Sequence, residues 1–474
     1  MRRSLACLLL AACRTDTTDL EDPPPPPELT TWYQDVGPIV ANRCMGCHRE
    51  GGLAPFSLET YDDAALYGMQ MLAAVEAGEL PPWSAVPASD CAPTRAFKHD
   101  PRLTDAELAT LRAWIADDRP AGQVATLMPS EPPHLANATH ELVPVEPFVT
   151  SGDTDQFKCF ALDPGITTDQ FLSGWDVIPG NRSVVHHVVL QTLPPDLLQA
   201  ARNADVIGKP LDCPVIPMSE AIGAWAPGQG PTETPDGVAA RIPANTGLLM
   251  QIHYHPANQV NAPDATAVHL RMSETPPSKF YAFGGWGNAR TPPHLQPDPT
   301  DVDGVIQFRI PAGASEHVET MRFPIAGTGP RVPMFIMQPH QHYVGTRLEL
   351  RIHRTSPPPG EPADECLINS DWDFSWQRTY QYDVPIAELP TVGPGDEVEV
   401  RCTYNNTLAN PYVELALHEQ GLSGPVDVLI GEQTLDEMCL GLVGLITDGT
   451  VAPPSEKPQA PPLQLVGNAL VLAD

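Results

Sequence analysis

The sequence has few positive charges. Its 474 residues include 27 lysines and arginines against 59 aspartates and glutamates, so the formal net charge is −32. It therefore lacks the basic patch that a protein needs to neutralise phosphate groups. We accordingly expect no nucleic-acid partner and no electrostatic attraction to an anionic membrane surface.

Runs of about 20 apolar residues, the length that spans a bilayer, are also missing. The start, Met1-Arg2-Arg3 and the apolar stretch 4–12, has the length and charge of an export signal. It ends in Leu10-Ala11-Ala12-Cys13, which resembles the lipobox of bacterial lipoproteins and implies that Cys13 is lipidated. An ordinary export signal is the alternative. Both predict an exported protein, and lipidation predicts a lipid-anchored one in the bacterial cell envelope, facing the periplasm or the surface.

Long helical periodicities are scarce, whereas 56 prolines and 35 glycines favour short strands and turns. The chain is too long for one core, so we predict two or three domains in a mostly β protein. The motif resemblances described below imply that a small all-α domain is followed by two antiparallel β domains. The predicted boundaries are a signal peptide at 1–13, a proline-rich spacer at 14–30, the helical domain at 31–122, a linker at 123–146, β domains at 147–275 and 276–451, and a tail at 452–474. Strand candidates include 248–254, 305–310, 347–352 and 397–404.

The segment Cys44-Met45-Gly46-Cys47-His48 matches the attachment motif of c-type haem. The thiols of Cys44 and Cys47 would form thioethers with the porphyrin, and His48 would be the proximal iron ligand. A disulfide or half of a zinc site is the alternative, although the chain has no second Cys-x-x-Cys. Helices are predicted over 33–42 and from the cap Thr104 to about Asp117. Residues 31–122 thus resemble small class I cytochrome c domains, which implies one covalent haem c.

The sixth ligand of the haem iron is less clear. Related cytochrome modules often carry Met-Pro-Pro-Trp, but this chain has Leu80-Pro81-Pro82-Trp83, and leucine cannot bind iron. Met69, Met71 and His99 remain, of which Met71 and His99 rank equally, and a vacant position is a further alternative. Methionine would raise the reduction potential relative to histidine, and an open position would allow ligand binding.

Two adjacent histidines, His186 and His187, lie in an apolar, β-branched run that predicts a buried strand. Adjacent strand residues normally point to opposite faces, so by itself the pair predicts one core and one exposed side chain. Further histidine clusters in the segments 251–255 and 337–342 favour another interpretation, since buried imidazoles need partners. A metal would be a partner for all of them.

His340 and His342 are two residues apart in a predicted strand, so both rings project from one face. With the thioether of Met438 they form a donor set that suits copper cycling through Cu(I), whereas zinc hydrolases prefer histidine with a carboxylate. A second, all-imidazole site, suited to a copper that only passes electrons, would combine His186 and His187 with His253 or His255. Spacing alone leaves that choice open.

Together these motifs resemble the copper type II ascorbate-dependent monooxygenases, the family of the peptidylglycine α-hydroxylating and dopamine β-monooxygenases. The resemblance covers about residues 145–450 and implies two jelly-roll sandwich domains that carry one copper each. It implies that His186, His187 and His253 bind the electron-transfer copper, and that His340, His342 and Met438 bind the copper that activates dioxygen. The motifs that carry it are His186-His187, Gln251-Ile252-His253-Tyr254, His340-Gln341-His342, Arg401-Cys402-Thr403-Tyr404-Asn405 and Asp436-Glu437-Met438-Cys439.

The same resemblance implies two disulfides, Cys402–Cys439 and Cys159–Cys213. Eight cysteines follow Cys13, and the haem motif takes two of them. Cys91 and Cys366 are left over, and they could pair across domains or stay free.

The activity implied by the resemblance is hydroxylation of a C–H bond with dioxygen, with electrons from an ascorbate-like reductant, from the fused haem, or from both. Peptide-amidating members hold a substrate carboxylate with an arginine before the His-x-His and with asparagine and tyrosine after the methionine. Here those positions are Gln338, Leu440 and Leu442. Without the guanidinium group we expect a less polar small-molecule substrate. The alternatives are a non-catalytic copper and haem protein and, more weakly, a zinc hydrolase.

Overall fold

The computed structural model describes most of the chain after the proposed signal and spacer. The predicted signal peptide and Cys13 lie outside the described residues, as does most of the spacer. The described residues are 29–52, 54–129, 133–152, 155–213, 221–255, 261–301, 304–374, 376–431, 435–449, 463–467 and 469–472.

The first part of the described chain is helical. A π-helical turn, Trp32–Val36, leads into α1 (Gly37–Arg43), followed by α2 (Tyr61–Glu76) and α3 (Asp105–Ala116). Thr104 caps α3 with the predicted capping box. Its side-chain oxygen accepts from the backbone N–H of Glu107, and the carboxylate of Glu107 accepts from the backbone N–H of Thr104. The buried rings of Trp32 and Trp114, 5.5 Å apart, form the centre of this core. The predicted helices are confirmed, while the cytochrome c fold stays a prediction.

The rest is mostly strand, so the predicted β-rich architecture is confirmed in its coarse form. Two further helices, α4 (Pro195–Asn203) and α5 (Pro411–Gln420), and a short 3-10 turn, Ile386–Glu388, connect strands. The strands are β1 (His140–Leu142), β2 (Phe148–Val149), β3 (Gln156–Leu162), β4 (Gln170–Ile178), β5 (Val185–Leu193), β6 (Pro210–Asp212), β7 (Ala221–Trp225), β8 (Thr232–Glu233), β9 (Val238–Ile242), β10 (Gly247–Tyr254), β11 (Pro263–Asp264), β12 (Ala267–Ser273), β13 (Lys279–Gly287), β14 (His317–Pro324), β15 (Val332–His340), β16 (Gly345–Arg354), β17 (Asp364–Asp371), β18 (Tyr380–Gln381), β19 (Thr391–Val392), β20 (Asp396–Tyr404), β21 (Leu440–Thr447), β22 (Leu463–Val466) and β23 (Ala469–Leu472).

The sheets are mainly antiparallel and compatible with β-sandwich packing. One sheet runs in the order β1-β12-β4-β9-β13-β21-β15-β18, a second in the order β22-β23-β6-β3-β10-β5-β7, and a third in the order β14-β20-β16-β17. The parallel pair of β9 and β13 carries the first sheet across residue 275, where we predicted a domain boundary. The two predicted β domains therefore share a sheet.

Three of the predicted strands are present, as β10, β16 and β20. The prediction of a strand at 305–310 is wrong, because Ile310 makes only an isolated bridge with Val428. Phe308 and Ile310 are nevertheless buried. Their apolar character therefore reflects packing against the core without a hydrogen-bonded ladder.

Residues 83–99, inside the predicted cytochrome c domain, pack on the β part of the molecule. Trp83 meets the ring of Tyr380 edge-on at 5.0 Å, and Ala85 and Phe97 form bridges with β17 and the residue after β18. A disulfide joins Cys91 to Cys366 across 275 residues of chain, so the two leftover cysteines pair. The helical and β parts are therefore covalently tied together.

The end of the chain also joins a sheet. Within the predicted tail, β22 and β23 form a hairpin, and β23 pairs with β6 beside the Cys159–Cys213 disulfide. No helix among the described residues has the length and apolar character needed to cross a membrane.

The disulfide between Cys91 and Cys366 generates a prediction. In a Cys91→Ser/Cys366→Ser variant the long closed loop is lost, which lowers the free energy of unfolding by up to about 5 kcal/mol. Residues 83–99 then open more often, so trypsin should cut after Arg95 and Lys98 at least about tenfold faster. A Cys159→Ser/Cys213→Ser variant is the control, because it should leave this segment protected. Equal protection in all three proteins would contradict the prediction.

Candidate metal centres

Three buried histidines converge where β5 pairs with β10. His253 lies directly opposite His187, but Tyr254 pairs with Val185, so β5 contains one extra residue at this point. A β-bulge of this kind turns a side chain that would otherwise face the opposite side of the sheet. His186, His187 and His253 each bring a ring nitrogen within 4.8 Å of the others. The bulge explains how two adjacent histidines reach one site.

Burial keeps the imidazoles of His186 and His187 neutral. It lowers the pKa of His186 to about 3, helped by the charges of His253 and His255, and it lowers the pKa of His187 well below the usual value. The buried Nδ1 of His186 has no hydrogen-bond partner, and Nδ1 of His187 and of His253 lie 3.3 Å apart. A neutral imidazole offers a lone pair, which a metal requires. The arrangement therefore suits an ion better than a hydrogen-bonded core.

Asp155 orients this histidine cluster. Its carboxylate accepts from Nε2 of His253 at 2.8 Å and from Nδ1 of His255 at 2.6 Å. Burial alone would raise the pKa of Asp155, but these hydrogen bonds outweigh it and hold that pKa well below its ordinary value. Because Nε2–H of His253 donates to Asp155, the lone pair of His253 is on Nδ1 and faces His187; Asp155 thus orients His253 as outer partners orient metal ligands. The structure thus brings His253 into the cluster and leaves His255 at its exposed rim.

The second pair of histidines lies at the end of β15. The rings of His340 and His342 are 5.4 Å apart and nearly perpendicular. Nδ1 of His342 lies 3.0 Å from the carbonyl oxygen of Asp436, and Nδ1 of His340 lies 3.2 Å from Oε1 of Gln377. Because Nδ1 donates to an oxygen in both rings, each ring carries its lone pair on Nε2. Two imidazoles oriented in this way are suitable metal ligands.

The segment that carries Met438 lies against this pair. Leu440 is directly opposite His340 in the ladder between β21 and β15. Oε2 of Glu437 accepts at 2.7 Å from the backbone N–H of His342 and, also at 2.7 Å, from that of Met438. One carboxylate oxygen therefore bridges the backbones of two predicted ligands, and the side chain of Met438 is buried.

Glu437 was not assigned a role from the sequence. Its fully buried carboxylate accepts four backbone hydrogen bonds, from His342, Val344, Gly345 and Met438. Burial raises the pKa of Glu437 to about 8, and the four N–H donors oppose this shift. An acidic residue just before a buried methionine was the only available signal, because three of its four partners lie more than 90 residues away.

Covalent and polar contacts immobilise the Met438 segment further. Both disulfides implied by the resemblance are present, Cys402–Cys439 and Cys159–Cys213. The hydroxyl of Tyr404 donates to the carbonyl oxygen of Met438 at 3.1 Å, and the N–H of Cys439 donates to Asn288. Met438 is thus positioned by interactions on both sides.

An aromatic segment at 372–376 lies between the two histidine centres. The ring of Trp372 is 5.8 Å from that of His340, and its Nε1 donates to the carbonyl oxygen of His342. Phe374 lies 6.4 Å from the ring of His187, and Trp376 lies 6.0 Å from that of His186. Burial is the main cause of the low pKa of His187, but the charge of His340 adds to it, so the centres are close enough to interact.

The predicted haem motif, Cys44-Met45-Gly46-Cys47-His48, directly follows α1. Cys44 and Cys47 are free thiols, so the disulfide alternative is not formed. Nδ1 of His48 lies 3.1 Å from the carbonyl oxygen of Phe56, and the Phe56 ring is 4.7 Å away. Donation from Nδ1 leaves the lone pair of His48 on Nε2, the tautomer of a proximal iron ligand.

The motif faces the β part of the molecule. Gly46 and Cys47 line a cleft together with His134 and Arg182, of which Arg182 lies just before β5. Burial raises the pKa of Cys47, while the charges of Arg182 and Arg378 act in the opposite direction and are therefore nearby. No motif in the sequence singled out His134, Arg182 or Arg378 for this site.

The two candidates for the sixth iron ligand have different surroundings. Met71 is buried in the helical core, which also contains Met45 and Cys44 of the haem motif. His99 lines a cleft on the β part with Glu233 and Tyr382. Met69 is 57% exposed. The shared core favours Met71 over His99, but the choice stays a prediction.

At the positions where the amidating enzymes bind a substrate carboxylate, this chain has residues that are apolar or already hydrogen-bonded. Gln338 accepts a hydrogen bond from the Thr379 hydroxyl at 2.9 Å. Leu440 and Leu442 form a small buried cluster with Met438, against which Phe283 packs. The surroundings of Met438 are therefore apolar.

Comparisons with known proteins do not place the chain in a family. No family model matches it. Among solved structures, the PBSX exported protein XepA has 9% identity and a TM-score of 0.17 and covers 68% of this chain and 98% of its own. The infectious bursal disease virus Gx strain structure has 10% identity, a TM-score of 0.15 and coverages of 69% and 78%. Tandem CBM51 modules from the family 98 glycoside hydrolase of Streptococcus pneumoniae have 9% identity, a TM-score of 0.15 and coverages of 64% and 83%. Similarities this low carry no argument.

The Glu437 carboxylate leads to a testable expectation. In Glu437→Gln the amide nitrogen replaces one acceptor oxygen and faces backbone N–H groups, so buried donors lose their partner. We expect the metal-free protein to lose roughly 2–4 kcal/mol in denaturant unfolding. Exposed Glu388→Gln removes the same charge elsewhere and should change stability by less than about 0.5 kcal/mol. If Glu437→Gln were as stable as Glu388→Gln, the Glu437 carboxylate would not hold the Met438 segment in place.

Proposed function

We propose that the chain is an exported, copper-dependent monooxygenase with a covalently attached c-type haem. The observation that carries this proposal is the presence of two unlike donor sets close together. One is an all-imidazole cluster, His186, His187 and His253, with an unpaired buried Nδ1. The other is a histidine pair tied through Glu437 to the backbone of a buried methionine.

The donor sets suit copper at both places. Three neutral imidazoles stabilise copper in either oxidation state, and a thioether beside two imidazoles favours the reduced ion. His340, His342 and Met438 are the proposed catalytic residues. When bound, the two copper ions would supply the electrons and the dioxygen activation for hydroxylating a C–H bond.

The surroundings of the haem motif support electron transfer to the first copper set. Arg378 stacks over Trp83 at 4.8 Å and lies near Cys47, while Trp376, two residues earlier, lies beside His186. Arg182 adds a second positive charge near Cys47, which suits the carboxylates of a haem. We infer that the haem is an electron donor to the copper cluster, in addition to or instead of an ascorbate-like reductant.

The chemistry around Met438 supports an apolar small-molecule substrate. Leu440, Leu442 and Phe283 surround the methionine, and Gln338 stands where an arginine would hold a carboxylate. A C-terminal peptide carboxylate would have no counter-ion at these positions. The chain would therefore act on a C–H bond of a less polar molecule.

Export is supported by the three disulfides, because such bonds persist in oxidising compartments. Lipid attachment through Cys13 would hold the protein in the bacterial envelope.

Replacement of Met438 tests the proposed activity. In Met438→Ile the thioether is lost at nearly constant volume, so bound copper should fall from two ions per chain to about one. Reductant-dependent oxygen uptake should fall by at least about 100-fold, since loss of a ligand exceeds loss of an outer partner. Met334→Ile is the control, because Met334 is a buried methionine on β15; this variant should keep both copper ions and the oxygen uptake. A wild-type protein that binds copper but takes up no oxygen with any reductant or substrate would favour the non-catalytic alternative.

Covalent haem attachment is tested with the motif cysteines. The wild-type chain should retain haem on a denaturing gel, detected by its peroxidase stain, and a Cys44→Ser/Cys47→Ser variant should lose it because no thioether can form. The Cys91→Ser/Cys366→Ser variant is the matched control, since it also removes two cysteines but should keep the stain. If the wild-type band carried no haem, the cytochrome assignment would be wrong.

A further inference from the structure

A second group of metal-binding side chains lies outside the copper sets and the haem motif. Asp298, His317 and Glu319 bring a carboxylate oxygen, an imidazole nitrogen and another carboxylate oxygen within 4.8 Å of one another. His317 and Glu319 are two residues apart on β14, so they share a face of that strand. Asp298 lies in the segment before β14. Leu295, in the same segment, forms a bridge with Met321 of β14.

His317 and Glu319 are buried, Asp298 is half-buried, and the hydrogen-bonding capacity of the group is incompletely satisfied. Glu319 is 0% exposed and His317 is 7% exposed. Nε2 of His317 lies 3.0 Å from Oε1 of Glu319, which also accepts from the backbone N–H of Arg309. Oε2 of Glu319 and Oδ2 of Asp298 are buried without a hydrogen-bond partner. Two orphaned carboxylate oxygens in one buried group are costly unless a cation lies between them.

We propose that Asp298, His317 and Glu319 form a third metal site, which binds a zinc ion. The imidazole argues against magnesium and calcium, which prefer all-oxygen ligands. One histidine and two carboxylates are ordinary zinc ligands, and the absence of sulfur distinguishes this set from the Met438 centre. The negative charge of Asp298 adds to burial in raising the pKa of Glu319, and a cation would relieve this repulsion.

The position of the site indicates a structural role. In the ladder between β14 and β20, Glu319 lies opposite Cys402 and His317 lies opposite Tyr404. Cys402 is bonded to Cys439, and Tyr404 donates to the carbonyl oxygen of Met438. The zinc ion would fix the segment of Asp298 to the strand pair that supports Met438. It would not take part in the oxygen chemistry.

Zinc content tests this site independently of any copper activity. Full-length protein is saturated with zinc sulfate and dialysed, and zinc per chain is measured together with the melting temperature before and after loading. Asp298→Asn and Glu319→Gln should each bind one zinc fewer than wild type and lose part of the zinc-dependent rise in melting temperature. Glu316→Gln, which removes an exposed charge next to His317, should match wild type.

The comparison of variants decides the outcome, because any zinc held at the copper sets is the same in all four proteins. If Asp298→Asn and Glu319→Gln both retained the zinc content of wild type, the site would be refuted. Should Glu319→Gln fail to fold, the half-buried Asp298→Asn decides alone. A wild-type chain that retained no zinc would also refute the proposal, whereas failure of the oxygenase activity would leave it untouched.

Discussion

The buried carboxylate of Glu437 is the interaction on which the Met438 centre depends. Four backbone N–H groups converge on it, and one of its oxygens serves both His342 and Met438. A carboxylate in an apolar core is costly by itself, so it persists only where donors surround it. These donors belong to the turn after β15 and to the residue Met438 just before β21, two segments that are also joined by the hydrogen bond from Nδ1 of His342 to the carbonyl oxygen of Asp436. The carboxylate therefore joins two distant parts of the sequence into one donor set.

A comparable constraint shapes the all-imidazole cluster. A regular strand would send His186 and His187 to opposite faces, and the bulge in β5 removes that restriction. Asp155 then fixes the ring of His253 from outside. At both centres the candidate ligands are held by groups outside the donor set. The ring of Trp372 lies near His340, and the rings of Phe374 and Trp376 lie near His187 and His186.

Much of the fold and of the site could be predicted from local sequence. The capping box at Thr104 and the strands around His253 and Cys402 follow from spacing and hydrophobicity, whereas the choice of His253 over His255 as a metal ligand rests on the family resemblance. The bulge could not be predicted, because register depends on the partner strand. The packing of residues 83–99 on the β part was missed for a similar reason, since their position inside a helical region indicated a local role. The strand predicted at 305–310 failed because burial by packing and burial in a sheet have the same apolar signature. Glu437 went unnoticed because its donors are distant in sequence.

The most direct test of two unlike copper centres is X-ray absorption on the copper-loaded, reduced full-length chain, with copper and iron content measured on the same sample. The account predicts two copper ions and one haem iron per chain, and a sulfur neighbour on about half of the copper. Copper with nitrogen neighbours alone, or one copper ion per chain after full loading, would contradict it.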